Sequence, residues 1–344
     1  MKSSDQFNIP IVLFIFKRMK AVEVIKQISH IAPRTLYLIG DGPRNEEERE
    51  HVNICRKAVE KAITWECNVI KNYAEKNRGV CENIGGGAKW VFSQTKTAIF
   101  LEDDNLPELS FFRFCKEMLD KYEDEEKVLW VCGTNYLGEY QSNDSYAFTQ
   151  HLLPCGWASW SKKFLKYYDI KLECIKNDSN FDKKIKNRYN NRGLYHQYKR
   201  CWLSEYKKIQ KGKQPASWDY QMDFSIKYHN LLGICPNKNQ IKNIGVDNDS
   251  IHGGNSWDNV MTQRFCGMNS YPLNFPLTHP KNITVDKKLE KKIAKILLHP
   301  LKIRIRMRLG DLLRSFLGLD QETSLTQLIK NKFLGLYGTK HKDL

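Results

Sequence analysis

The stretch Thr97-Ala98-Ile99-Phe100-Leu101-Glu102-Asp103-Asp104 decides how this chain is read. Its apolar run has the length and composition of a buried β-strand, and it stops abruptly at three acids. A strand ending in this way holds its acids at the carboxyl edge of a sheet, where open α/β sheets place their ligands. Three successive like charges repel one another, and a cation or a set of hydrogen-bond donors relieves the repulsion. Hard divalent ions are held by such carboxylates, often together with substrate phosphates. An isolated Glu-Asp-Asp is more often a solvated acidic turn. The surroundings of this one point instead to a metal-dependent enzyme acting on a nucleotide diphosphate.

Towards the N-terminus, strand and helix patterns alternate. Residues 9–16 read as a buried strand, 22–31 as a helix, 35–40 as a second strand ending in Asp41-Gly42-Pro43, and 45–67 as a second helix. A short third strand over 68–73, a helix over 84–94 and a fourth strand over 98–101 complete the series. The alternation predicts a mainly parallel, doubly wound sheet. Its strand ends carry Arg18, Asp41, Asn77-Arg78-Gly79 and the acidic triplet, which converge on one edge where a nucleotide can lie. There is no Walker-type phosphate loop and no Gly-x-Gly-x-x-Gly fingerprint. Gly85-Gly86-Gly87 precedes a helix and is read as an anion cradle of backbone donors, or else as a flexible loop or a close helix packing. Without a phosphate loop, a metal ion becomes the main device for neutralising a diphosphate.

Towards the C-terminus, Gly156-Trp157-Ala158-Ser159-Trp160 is rich in indole and otherwise small. Aromatic faces suit sugar rings, which makes Trp157 the candidate wall of a sugar site, against a reading of both indoles as core. Ser217-Trp218-Asp219 opens a helical pattern. On this pattern Asp219 is read as a helix cap, and its other reading depends on the resemblance given below. His151 and Cys155 are read as packing residues.

Composition sets the outer limits. The chain has 344 residues, 41% apolar and 12% aromatic, enough for a sizeable core. No stretch approaches the ~18 apolar residues that span a bilayer, and the opening residues lack the blocks of a signal peptide. Cytoplasmic residence is the expectation, and the ten cysteines, without a Cys-x-x-Cys pair, are read as reduced packing residues. The net charge of +16 is concentrated: residues 161–213 hold 16 basic and 5 acidic side chains, and residues 281–314 hold 11 and 3. Nucleic acid is set aside as a partner, because the interleaved aromatic pattern of single-strand binders is missing. Residues 165–213 are expected to form helices over the acceptor side. The second basic segment mixes Lys and Arg with Ile293, Ile296, Leu297, Leu301, Leu309 and Phe316, which suits an element lying on an anionic membrane surface at the inner face. Its period-two portion, residues 301–309, reads equally as an edge strand.

Several ordered blocks carry a resemblance. They are Phe14-Ile15-Phe16-Lys17-Arg18, Leu38-Ile39-Gly40-Asp41-Gly42, Asn77-Arg78-Gly79, Phe100 to Asp104, Cys155 to Trp160, Ser217-Trp218-Asp219, and Pro236 through Asn243-Ile244-Gly245 to His252. In this order the chain resembles the GT-A class of nucleotide-diphospho-sugar glycosyltransferases, and is similar to inverting bacterial family 2-like enzymes and to N-acetylglucosaminyltransferase I. The resemblance covers roughly residues 9–255. It implies a GT-A (Rossmann-like) α/β fold, with residues 1–130 as the nucleotide-sugar half, 131–270 as the acceptor and catalytic half, and 271–344 as a basic helical extension.

The resemblance also implies roles. Asp104 would hold Mn2+ or Mg2+, Asp103 would meet the ribose or a metal-bound water, and Glu102 would border the donor. Arg18, Asp41 and Arg78 would hold nucleobase and phosphates, Asp219 would be the base, and His252 would touch metal or diphosphate. The implied substrates are a nucleotide diphosphate sugar, in first place a UDP-sugar, and a glycan or lipid-linked hydroxyl acceptor of surface polysaccharide or glycolipid synthesis. A sugar-phosphate nucleotidyltransferase and a non-catalytic sugar-binding protein are the alternatives. The first would carry a glycine-rich basic loop after the first strand, and Phe16-Lys17-Arg18-Met19 has no glycine.

Overall fold

The computed structural model describes residues 7–246 and 260–319, together with Leu328. The chain divides into two compact units, Met1–Ile296 and Leu297–Leu344. In chain order the first opens with β1 (Ile11–Ile15), α1 (Ala21–Ser29), β2 (Thr35–Gly40), α2 (Glu46–Lys61) and β3 (Asn68–Tyr73). A π-helical turn over Cys81–Gly86 leads into α3 (Gly87–Phe92), followed by β4 (Thr97–Glu102), β5 (Asn105–Pro107), α4 (Leu109–Lys121) and β6 (Val128–Cys132). Then come β7 (Tyr146–Thr149), β8 (Trp157–Trp160), α5 (Ser161–Tyr167), α6 (Glu173–Asn177), α7 (Phe181–Lys186) and α8 (Arg192–Gln210). The unit closes with α9 (Asp219–Tyr228), β9 (Leu232–Pro236), β10 (Ile241–Asn243), α10 (Val260–Phe265) and α11 (Lys287–Leu297). The second unit contains α12 (Leu301–Phe316).

Eight strands form one sheet in the order β3-β2-β1-β4-β8-β6-β9-β7. The first four are mutually parallel, β8 runs against both β4 and β6, and β7 runs against β9. The sheet is thus mainly parallel and flanked by helices, as the strand–helix alternation predicts. β1, with all five residues buried, reads as the uninterrupted apolar run of a central parallel strand. α1 buries Ala21, Val24, Ile25 and Ile28, the stripe of a helix lying on a sheet. Asn45 caps α2 by accepting the Glu48 N–H at 2.9 Å, and three glutamates occupy the positive end of its dipole.

Chain order reverses at β1, which pairs with β2 on one side and β4 on the other. Phe14 lies in register with Glu102, so Arg18 and the triplet leave adjacent strands at one carboxyl edge, the crevice that such a switch point creates. A separate ribbon of β5 and β10 pairs Asn105 with Asn243, and this brings the distant 236–245 block beside the acids.

Three expectations are corrected. The glycine run is not a loop ahead of a helix: Gly85 and Gly86 lie in the π-helical turn and Gly87 packs on Phe14 and Ile39, so close packing explains it. Residues 301–309 are helical rather than an edge strand, the backbone satisfying its own hydrogen bonds within the helix. The extension does not begin at 271. Leu273, Leu277, Leu289 and Ile293 are buried, and Val285 bridges to Phe148, so the apolar face of α11 belongs to the first unit's core.

Candidate active site

The triplet is organised by donors from three segments. Arg18 Nη1 donates to Asp104 Oδ2 at 2.7 Å and lies 3.6 Å from Asp103 Oδ1. Asn105 Nδ2 donates to the other Asp104 oxygen at 2.7 Å, while Asn105 Oδ1 accepts the Gly156 N–H at 2.9 Å. Asn243 Nδ2 approaches Asp104 Oδ1 at 3.4 Å, and Asn243 Oδ1 accepts the Gly245 N–H at 2.9 Å. Lys20 Nζ donates to the Ile244 carbonyl at 2.6 Å, tying the loop after β1 to the loop after β10. Gly245 is required by this closeness, since a Cβ there would collide with Asp104 Oδ2.

The electrostatics are those of a crowded acidic site. Burial, followed by the charges of Asp104, Asp103 and Asp219, holds the Glu102 carboxyl well above the usual carboxylate range. Burial also raises Asp104, against the opposing pull of Arg18 and Asn105. The charge of Asp219 adds to the rise at Glu102 after burial, Asp104 and Asp103. Its placement follows from packing. Phe100 of β4 stacks on Trp157 of β8 at 3.9 Å, Trp157 on Trp130 of β6 at 4.1 Å, and Trp218 closes the series 5.7 Å from Trp157. Trp218 thereby anchors the start of α9, and Asp219 is the first residue of that helix, with Ser217 Oγ donating to its carboxylate. Trp218 precedes α9 as its cap residue, so Asp219 is not the helix cap.

The remaining predicted residues fare differently. Trp157 is 1% exposed and covered on both faces, so it is core and forms no wall of a sugar site. Asp41 reaches the edge, but its carboxylate accepts four donors: the N–H groups of Gly42, Arg78 and Gly79 and the Asn77 amide, at 2.7–3.2 Å. These occupy the acceptor sites of a carboxylate, and Asp41 shapes the 77–79 loop instead of meeting a ligand. Arg78 donates to Asn72, Asn83 and the Gly40 carbonyl and braces the same edge. His252 lies outside the described residues.

Lys20 and Asn105 are neighbours of the acids that sequence reasoning did not single out. Asn105 alone carried a signal, directly following the triplet. A cavity of about 590 Å3 lined by Thr95, Lys96, Trp160 and Lys163 lies at the amino end of β4, away from the acids.

Among the described residues, no three His, Cys, Asp or Glu side chains form a ready-made metal cage. The triplet nevertheless fits an ion that shares its coordination with phosphates and water, for which one or two carboxylates suffice. Asp103 and Asp104 would hold such an ion. Glu102, crowded by like charges, shows the surplus negative charge that a cation would relieve.

No family model and no curated protein sequence matches the chain. Solved structures with partial similarity include HddC from Yersinia pseudotuberculosis, at 10% identity and a TM-score of 0.31 over 47% of this chain and 81% of that one. A UDP-glucose pyrophosphorylase in complex with UDP-glucose matches at 8% identity and a TM-score of 0.29, over 46% and 78% of the two chains. The bifunctional glycosyltransferase WbbM in its apo form matches at 10% identity and a TM-score of 0.28, over 67% and 39%.

Proposed function

We propose that the chain is an inverting, metal-dependent glycosyltransferase that moves a sugar from a nucleotide diphosphate to a hydroxyl acceptor. The observation that carries this reading is the donor-held acidic triplet at the carboxyl edge after β4, with Asp219 opening α9 at the end of the Phe100–Trp157–Trp218 stack. Their roles divide by chemistry. Asp103 and Asp104 serve the diphosphate end, where a bound Mn2+ or Mg2+ supplies charge neutralisation for the leaving group. Arg18, paired with Asp104, adds positive charge at that end. Asp219 accepts the acceptor's hydroxyl proton as the new C–O bond forms at the anomeric carbon and the bond to the diphosphate breaks, the electron pair leaving with the phosphate. The stack of Trp218, Trp157 and Phe100 ties the start of α9, and with it the base, to β4, the kind of preorganisation such a step requires.

A second reading has one observation in its favour. Arg18 and Lys20 form a basic loop directly after β1 beside Asp104, and nucleotidyl transfer from a nucleoside triphosphate to a sugar phosphate would use such a loop. One experiment separates the two. Native chain, Asp104→Asn and Asp219→Asn are incubated with Mn2+ or Mg2+, with a panel of nucleotide sugars in one arm and nucleoside triphosphates plus sugar 1-phosphates in the other. Nucleoside diphosphate release from a nucleotide sugar, with donor binding lost in Asp104→Asn and only turnover lost in Asp219→Asn, supports glycosyl transfer. Pyrophosphate release that survives Asp219→Asn would replace it with nucleotidyl transfer.

A further inference from the structure

Helix α12 inverts the usual pattern of a surface helix. None of its 16 residues is buried. Leu301, Ile305, Leu309, Leu312 and Phe316 recur at spacings of three and four and so form one stripe along the helix. This stripe is exposed throughout, reaching 67% at Leu312 and 87% at Phe316, and Leu313 widens it. The half-buried residues Ile303, Met307, Asp311 and Arg314 lie on the other side. The most apolar face is therefore the most exposed one.

Charge identifies what covers it. At 3.6 residues per turn, Lys302 and Arg306 border the stripe along one side and Arg304 and Arg308 along the other. With Arg314, α12 carries five basic side chains against the single acid Asp311. A second copy of the chain would set like-charged borders against each other, whereas an anionic bilayer satisfies both features of the helix. No described helix is long and apolar enough to cross a membrane, so the fitting orientation lies in the plane of the interface.

We propose that α12 docks the protein on anionic lipid, with Leu309, Leu312 and Phe316 entering the headgroup–acyl boundary and the flanking arginines meeting lipid phosphates. This assignment is independent of the reaction at the acidic site. The test is co-sedimentation of the full chain with phosphatidylcholine vesicles, with and without phosphatidylglycerol. Binding is expected to be at least about tenfold stronger with phosphatidylglycerol and to weaken as salt is raised, because each basic residue near the surface adds a salt-screened attraction. The Leu309→Ser/Leu312→Ser/Phe316→Ser variant is expected to lose about tenfold or more through its lost apolar burial. Arg306→Glu/Arg308→Glu is expected to lose the preference for phosphatidylglycerol. Both variants change exposed side chains, and unchanged circular dichroism and melting would establish that they fold. Equal binding by native chain and serine variant would overturn the proposal, as would no binding to anionic vesicles. A concentration-dependent dimer abolished by Phe316→Ser would give the stripe to a second copy and overturn it as well.

Discussion

Asp219 and Trp157 illustrate how residues of similar standing in a sequence part company in the fold. Asp219 opens α9, and its exchange for Asn keeps shape while removing the proton acceptor. The expected outcome is a fall in kcat of about 10²- to 10⁴-fold with little change in donor KM, measured by nucleoside diphosphate release. Trp157 lies between two aromatic rings, and Trp157→Ala is expected to cost about 3–5 kcal/mol in chemical denaturation, as for other buried large-to-small changes. A selective rise in sugar KM at native stability would return it to the sugar site. Gly245→Ala is a subtler case: the added methyl displaces a carboxylate pinned by Arg18 and Asn105. Weakened metal-dependent nucleotide binding, read by calorimetry at unchanged melting temperature, is the expected result.

At the scale of elements, α9 and α11 share a buried charge cluster. Glu290 of α11 accepts from Thr149 Oγ1 at 2.7 Å and pairs with His151 Nε2 at 2.9 Å. Burial would raise its carboxyl, but His151, the Lys227 charge and the Gln150 N–H outweigh this and hold it below the usual range. Asp223 of α9 goes the other way, pushed up to about 7 by burial, with Lys227 and the Tyr189 hydroxyl opposing and Asp219 and Glu290 adding to the rise. An acid whose folded pKa is raised binds its proton more tightly in the native state. Its contribution is therefore full below the unfolded value near 4 and is lost as pH climbs through about 7. The shift corresponds to a loss on the order of 4 kcal/mol across that window. Asp223→Asn is expected to flatten the decline, seen as a smaller difference between denaturation midpoints at pH 5 and pH 8. Glu290 contributes in the opposite sense, its stabilisation being lost as pH falls towards and below the usual carboxylate range. An unchanged pH profile in Asp223→Asn would remove Asp223 as the titrating group.

For the whole molecule, the division at Ile296 separates a packed sheet unit from a second unit whose α12 buries nothing. A chain ended after His299 retains all of α11 and its buried Leu289 and Ile293. It is expected to melt cooperatively within a few degrees of the full chain, since no buried α12 side chain is lost, while its binding to anionic vesicles disappears. Loss of the cooperative transition on truncation would show that the first unit depends on the segment beyond His299.

What the sequence determined by itself was the periodic and the local. β1, β2 and β4 announce themselves because a parallel central strand is apolar on both faces, and the triplet is legible because its acids are adjacent in the chain. The amphipathic stripe and basic borders of α12 are likewise written in residue spacing. The tertiary structure decided everything that depends on contact between distant segments. Only pairing of β5 with β10 brings Asn243 and Gly245 to Asp104, and only the stack through Trp130 and Trp157 to Trp218 fixes where α9 and its first residue Asp219 begin. It also removed Trp157 and Asp41 from ligand contact, because burial and saturated hydrogen bonding are properties of neighbours brought in from elsewhere in the chain, not of the residues themselves. Residues 301–309 adopt helix, in which the backbone satisfies its own hydrogen bonds without a partner strand, and residue spacing alone left that choice open.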